Sequence, residues 1–274
     1  MSAERWAQGM CQAGDIDAEE TCFHASNMSS LQKRMNQLIQ QFSEELQHVA
    51  SECQATPGAK LNVLEVFCSS NSELTRQTGQ LGHRAQRFGH DQGDLATTEG
   101  RRSLFQLLIQ KQPDNVWISP TCGPWSSWNN LNASKSMESF DAIHAQRVQN
   151  LYQLALGIVL LRHQWSSRRH FHWEQPRRSL MFKSPLLREL FEKTYCALFD
   201  MCKVGQLRDP ENNKLIQKGL EVRTTSWEVF SQLHGRYCNH DHEHQVLEGT
   251  TVYKGIRMNR TEFSELYPRK FAEV

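Results

Sequence analysis

The sequence predicts an α/β fold: a Rossmann-like, mostly parallel sheet with helices on both faces. Short apolar runs rich in β-branched residues recur along the chain, and helical patterns alternate with them. The first run, LNVLEVF (61–67), is apolar almost throughout, as a strand buried on both faces requires. An N-terminal helix precedes the sheet, and a small β-hairpin and helix extension follows it.

The elements read in order. Residues 1–30 are polar and acidic without periodicity and are expected to be disordered. Leu31, Met35, Leu38, Phe42, Leu46 and Val49 then form one apolar stripe, giving an amphipathic helix over 31–53. That stripe packs on its own domain or forms a short homodimer seam. QATPGAK (54–60) breaks the helix and opens a Rossmann-like domain over 60–204. Ser70 and Glu73 have capping-box spacing for a helix after the first strand. RAQRF (84–88) is a second strand, followed by a helix over 99–111 and a strand at Val116–Ser119. A long helix covers 139–164, HFHWE (170–174) is a strand, 184–193 a helix and CALFDMC (196–202) the last strand. In the extension, 205–274, turn signals within 209–226 predict a hairpin. Thr225 and Glu228 predict a helix start, and Gly235 its stop.

Bulk properties bound the function. Net charge is +1, from 31 Lys+Arg against 30 Asp+Glu, so any nucleic-acid surface is local rather than global. Eight cysteines without scaffold spacing imply a reducing compartment. The N-terminus lacks the apolar region of a signal peptide. The longest apolar run, LALGIVLL (154–161), is far short of the roughly 20 residues of a membrane span. The expected location is intracellular, without a membrane partner.

Chemistry gathers at strand ends, where α/β folds bind ligands. Cys122 sits in ISPTCGPW between Pro120 and Pro124, and Glu174 ends HFHWE. Asp91 and Asp94 follow the second strand, where a carboxylate grips a ribose or simply caps the next helix. Arg168, Arg169, Arg177 and Arg178 flank Glu174 and suit phosphate contact or a solvated face. Trp117, Trp125, Trp128 and Trp173 lie near the same ends; Trp125 and Trp128 are candidates for base stacking. Cys238, His242 and His244 in CNHDHEH have zinc-ligand chemistry. Cys202 is the candidate fourth ligand and His240 its substitute; the alternative is a solvated histidine loop.

PTCGPWS resembles the proline–cysteine loop of cytosine-5 methyltransferases, and WEQP resembles their glutamate strand end. EVFCSSNSELT and GDL stand where that family has its S-adenosylmethionine loop and its Gly-Asp-Ile. TTSWEVFSQLHGRYCNHDHEH resembles divergent members carried by retrotransposons. The resemblance spans about residues 60–250. It implies S-adenosylmethionine as cofactor and nucleic acid as partner, DNA before RNA. It implies that Cys122 adds to cytosine C6 and that Glu174 protonates N3. Arg223 is the nearest counterpart of the family's Gln-x-Arg-x-Arg strand. Phe67, Ser69, Asn71, Asp91, Asp94 and Pro120 are the implied cofactor contacts. The rival expectation is a catalytically inactive descendant that binds nucleic acid or protein; the glycine-free loop Cys68–Ser72 motivates it.

Overall fold

The computed structural model describes residues 18–273, apart from 71, 127, 128, 130 and 131, with side chains from residue 29 onward. The first ten elements are α1 (Ala18–Glu52), β1 (Val63–Val66), α2 (Glu73–Gln80), β2 (Ala85–Phe88), α3 (Thr98–Lys111), β3 (Asn115–Ile118), α4 (Met137–Ser166), β4 (His170–Pro176), α5 (Arg188–Lys193) and β5 (Tyr195–Asp200). They are followed by α6 (Met201–Val204), β6 (Leu215–Ile216), β7 (Gly219–Thr224), α7 (Trp227–Leu233), β8 (His244–Gln245), β9 (Thr250–Tyr253), β10 (Ile256–Asn259), α8 (Arg260–Phe263) and α9 (Arg269–Ala272).

The central sheet has six strands in the order β2-β1-β3-β4-β7-β5. β2, β1, β3 and β4 pair in parallel. β7 runs antiparallel to both β4 and β5, so β5 points the same way as the first four. The chain leaves β1 in one direction to reach β2 and leaves β3 in the other to reach β4. That reversal is a switch point, and it opens a crevice beyond the carboxyl ends of β1 and β3.

Strand alternation divides the core into two layers. Leu64, Val66, Val116, Ile118, Phe171 and Trp173 face one layer, closed by α1, α3 and α4. Trp117, Phe199, Leu220 and Val222 face the other, which also holds Leu74, Leu233, Phe263, Tyr267 and Phe271. Gly157 lets α4 lie on β4, because a Cβ there would stand 2.5 Å from the Trp173 ring.

The expected α/β architecture is present, with local corrections. The helix expected to start at Leu31 already starts at Ala18. No Gly or Pro interrupts 18–30, and Glu19 and Glu20 suit a helix N-terminus. The rest of the expected disordered segment, 1–17, lies outside the described residues. The stripe of α1, with Leu38 half-buried and the rest buried, packs against the chain's own α3 and α4. Ser72, not Ser70, caps α2 and accepts from the Thr75 N–H. Ser226, not Thr225, caps α7, because its hydroxyl reaches the Val229 N–H. The last expected strand ends at Asp200, where α6 takes over.

The largest correction is the hairpin expected within 209–226. β6 pairs in parallel with β8, while β7 enters the main sheet. A boundary at residue 204 therefore does not separate an extension from the sheet. The alternating run Leu220, Val222, Thr224 is buried on one face, and the slot between β4 and β5 satisfies both of its backbone edges.

Candidate functional site

Cys122 stands where β3 passes into a short 3-10 turn, Gly123–Trp125, and caps that turn. Its loop is held from two sides. Gln175 Nε2 donates to the Pro120 carbonyl at 2.7 Å, and the Thr121 N–H donates to Gln153 Oε1 at 2.8 Å. Glu174 stands two residues before the end of the neighbouring strand β4 and is 6% exposed. One of its oxygens, Oε2, accepts a 2.6 Å hydrogen bond from the Tyr267 hydroxyl; the other, Oε1, is buried without a protein partner. The expected thiol and carboxylate therefore share one rim, at the carboxyl end of β3 and β4.

The electrostatics of the rim involve more residues than expected. Burial pushes the Cys122 thiol up; Lys218 pulls it down; Glu174 and Glu265 push it up again. Lys218 also donates to the Ser264 carbonyl at 2.9 Å. Crowding and the Glu174 charge raise the pKa of Glu265 against Lys218, although one side of Glu265 meets solvent. The positive charge beside the thiol does not come from Arg168, Arg169 or Arg177 among the arginines that flank Glu174. Arg168 and Arg169 precede β4, at the end of the strand away from the rim. Arg169 contacts His163. Arg177 pairs with Asp200 at 2.8 Å. Lys218, which no local pattern distinguishes in LIQKGLEV, takes that role.

Arg223 is not brought to the rim. Its register partner is Trp173, while the partner of Glu174 is Val222. Successive side chains leave a strand on opposite faces. Arg223 accordingly lies against Phe182 and Phe191 in the α4-side layer, paired with Glu221. Trp125 is buried at 4% exposure and is no open stacking surface; Trp128 lies outside the described residues.

The expected cofactor contacts are only partly assembled. Phe67 has φ 62, a left-handed turn of the kind glycine usually supplies. Pro120 is buried, with its carbonyl taken by Gln175, and Ser69 is exposed. Asn71 lies outside the described residues. Asp91 is engaged by Arg87 through two contacts of 2.7 and 2.5 Å. Asp94 Oδ1 accepts from the Ala96 N–H and shapes the turn before α3. The start of α2 is filled from within: Glu65 accepts from the Ser72 and Thr75 hydroxyls and from the Thr75 N–H.

A second cluster joins Cys202, Cys238, His242 and His244, whose donor atoms all lie within 4.8 Å of one another. It has the donor set of a metal centre. Cys238 Sγ stands 3.6 Å from His242 Nε2 and 3.4 Å from His244 Nε2. A zinc tetrahedron with S and N ligands has edges of about 3.6 Å. His242 Nδ1 meets Asp241 at 2.7 Å, which leaves Nε2 for a metal. His240 is not part of the cluster; its left-handed backbone (φ 57) turns its N–H onto Cys238 Sγ at 3.3 Å. Asp200 Oδ2 accepts from the Cys238 N–H at 2.8 Å.

Among the described residues, no helix is long and apolar enough to cross a membrane. No protein-family model, no curated protein and no solved structure matches the chain.

The sequence singled out Cys122, Glu174 and the four-residue cluster, and the structure brings each set together. It did not single out Lys218, Glu265 or Tyr267, which lie beside the first pair. Only Tyr267 carried a signal, as an aromatic–proline pair in an otherwise charged stretch, SELYPRK (264–270).

Proposed function

We propose that the protein is a nucleic-acid cytosine-5 methyltransferase, acting on DNA before RNA. The observation that carries this reading is the rim itself. Cys122 follows β3 and Glu174 lies on the neighbouring parallel strand β4, close enough for the Glu174 charge to act on the thiol. Cys122 would add to C6 of the ring, and Lys218 would favour the thiolate needed for that attack. The unpartnered Oε1 of Glu174 would take the ring edge at N3. S-adenosylmethionine, when bound, supplies the methyl group. Phe67, Ser69, Asn71, Asp91, Asp94 and Pro120 would hold it, with Asp91 exchanging Arg87 for ribose hydroxyls. A duplex target would be flipped out of its stack at a cost of a few kcal/mol. The protein would work in the nucleus where DNA is the substrate.

A second reading is favoured by the raised Cys122 thiol and by the engaged Asp91: an inactive descendant that binds nucleic acid. One experiment separates the two. DNA carrying 5-fluorocytosine blocks release of the enzyme after addition, so with S-adenosylmethionine it should trap a denaturant-stable adduct. Cys122→Ser should abolish the adduct. Binding of DNA and cofactor by wild type, without adduct and without methyl transfer on DNA or RNA panels, would establish the second reading.

The Cys202–Cys238–His242–His244 centre is proposed to hold structural zinc. Burial and the neighbouring Cys238 push the Cys202 thiol up to about 12, so a cation is what would hold both sulfurs as thiolates. The ion would tie α6, the segment after α7 and β8 together, and so brace the end of β5 beside the rim.

A further inference from the structure

We propose that Tyr267 is the positioning residue for Glu174, fixing Oε2 so that Oε1 alone is presented to a ligand. This rests on the methyltransferase reading for its catalytic consequence, but not for its geometry.

Tyr267 is buried, and its hydroxyl has every bonding direction assigned. The Trp117 indole N–H donates to it at 3.4 Å. Ser119 Oγ lies 2.9 Å away and Glu174 Oε2 2.6 Å away. A phenol has one proton and two lone pairs. A carboxylate can only accept, so the proton points to Glu174 and the Ser119 hydroxyl donates to Tyr267. The ring cannot turn away, because it stacks on Phe271 at 4.8 Å and meets Trp117 edge-on at 6.1 Å. The segment that carries it is pinned at both ends. Arg260 donates to the fully buried Asp209 at 2.7 Å, and α9 packs on α2. Glu174 is thus held by a residue 93 positions away, on the face that Arg223 does not reach.

The groups around Glu174 are Cys122 from the loop after β3, Lys218 from the turn before β7, and Glu265 and Tyr267 from the C-terminal segment. Among them, Tyr267 alone contacts the carboxylate directly. A carboxylate oriented by one short hydrogen bond presents its other oxygen in one direction, which is what a ring bearing an N–H and an amino group requires.

Tyr267→Phe removes the hydroxyl and keeps the aromatic stack. The Glu174 carboxyl is followed by carbon NMR in glutamate-labelled protein, assigned with Glu174→Gln. Loss of a hydrogen bond to the charged form should raise its titration midpoint by about one to two units. The rate of adduct formation with 5-fluorocytosine DNA and S-adenosylmethionine should fall by at least about tenfold, with DNA affinity within about twofold. An unchanged carboxyl titration overturns the proposal. So does a shifted titration with an unchanged adduct rate. If wild type forms no adduct, the methyltransferase reading falls, and the titration alone still decides whether Tyr267 holds Glu174. Should Tyr267→Phe not fold, Ser119→Ala frees the tyrosine hydroxyl and should shift the same titration in the same direction, by less; no shift overturns the proposal.

Discussion

Phe42→Ala tests how α1 belongs to the molecule. Phe42 is 1% exposed and sits under the Arg101 guanidinium, whose central carbon lies 4.2 Å from the ring centroid. Truncating a buried phenylalanine costs about 3–5 kcal/mol through lost transfer energy and the cavity left behind. Loss of the cation–π contact adds about 0.5–2 kcal/mol. Arg101 itself stays satisfied, because Glu45 grips it at 2.7 and 2.8 Å and Ala96 accepts from it at 2.8 Å. The cost is therefore one of packing, with no stranded charge. For a chain of this size each kcal/mol lowers Tm by about 2–4 °C, so a fall of about 7–28 °C is expected. The assay is thermal unfolding by circular dichroism over a hundredfold range of protein concentration. A fall of less than about 2 °C would show that the stripe is not core. A fall that shrinks at high concentration would place the stripe between copies instead.

Metal analysis of untagged protein should find about one equivalent of zinc, and Cys238→Ala should lose it. The same variant should be cleaved faster by protease between residues 205 and 250; equal zinc and equal cleavage would exclude the centre. Gly157→Ala should cost about 1–3 kcal/mol, since the added Cβ meets the Trp173 ring at 2.5 Å. The near-ultraviolet signal of the indole should change with it, and an unchanged melt would refute the close approach. Glu65 is pushed above its ordinary 4.5 chiefly by burial, against hydrogen bonds from Ser72 and Thr75. A raised carboxyl is stabilising while protonated, and that contribution is lost as pH rises through its folded value. Glu65→Gln should therefore gain on wild type from pH 4 to 8 in denaturant titrations; a variant that loses ground on wild type as pH rises would reverse the sign.

What the sequence disclosed and what it withheld divide along physical lines. Cys122 and Glu174 were legible because the apolar runs beside them are local, and parallel strands carry their carboxyl-end residues to one rim. The cysteine–histidine cluster was legible because three of its four members lie within seven residues. Arg223 was misplaced by parity: moving one position along β7 exchanges the faces, and periodicity cannot tell which face a neighbour will present. Asp91 carried a hint that went unused, since Arg87 lies four positions before it on the same bend. Tyr267 could not be found by any local rule, because its partner is fixed only when the C-terminal segment folds over α2.

The insertion of β7 also governs how the chain can fold. β4 and β5 follow each other along the chain and point the same way, yet they never touch. A nascent chain that has released everything through β5 still has no neighbour for the outer edge of β4. That strand carries Phe171 and Trp173, and its free N–H and C=O groups would template another chain as readily as its own. Only when residues 219–224 thread into the gap is the edge closed, from the opposite direction and after β5 has been made. Such long-range pairing is slow to form and leaves an aggregation-prone interval on the ribosome. The same strand brings Lys218 to Cys122 as it docks, so closing the sheet and charging the rim are a single folding event.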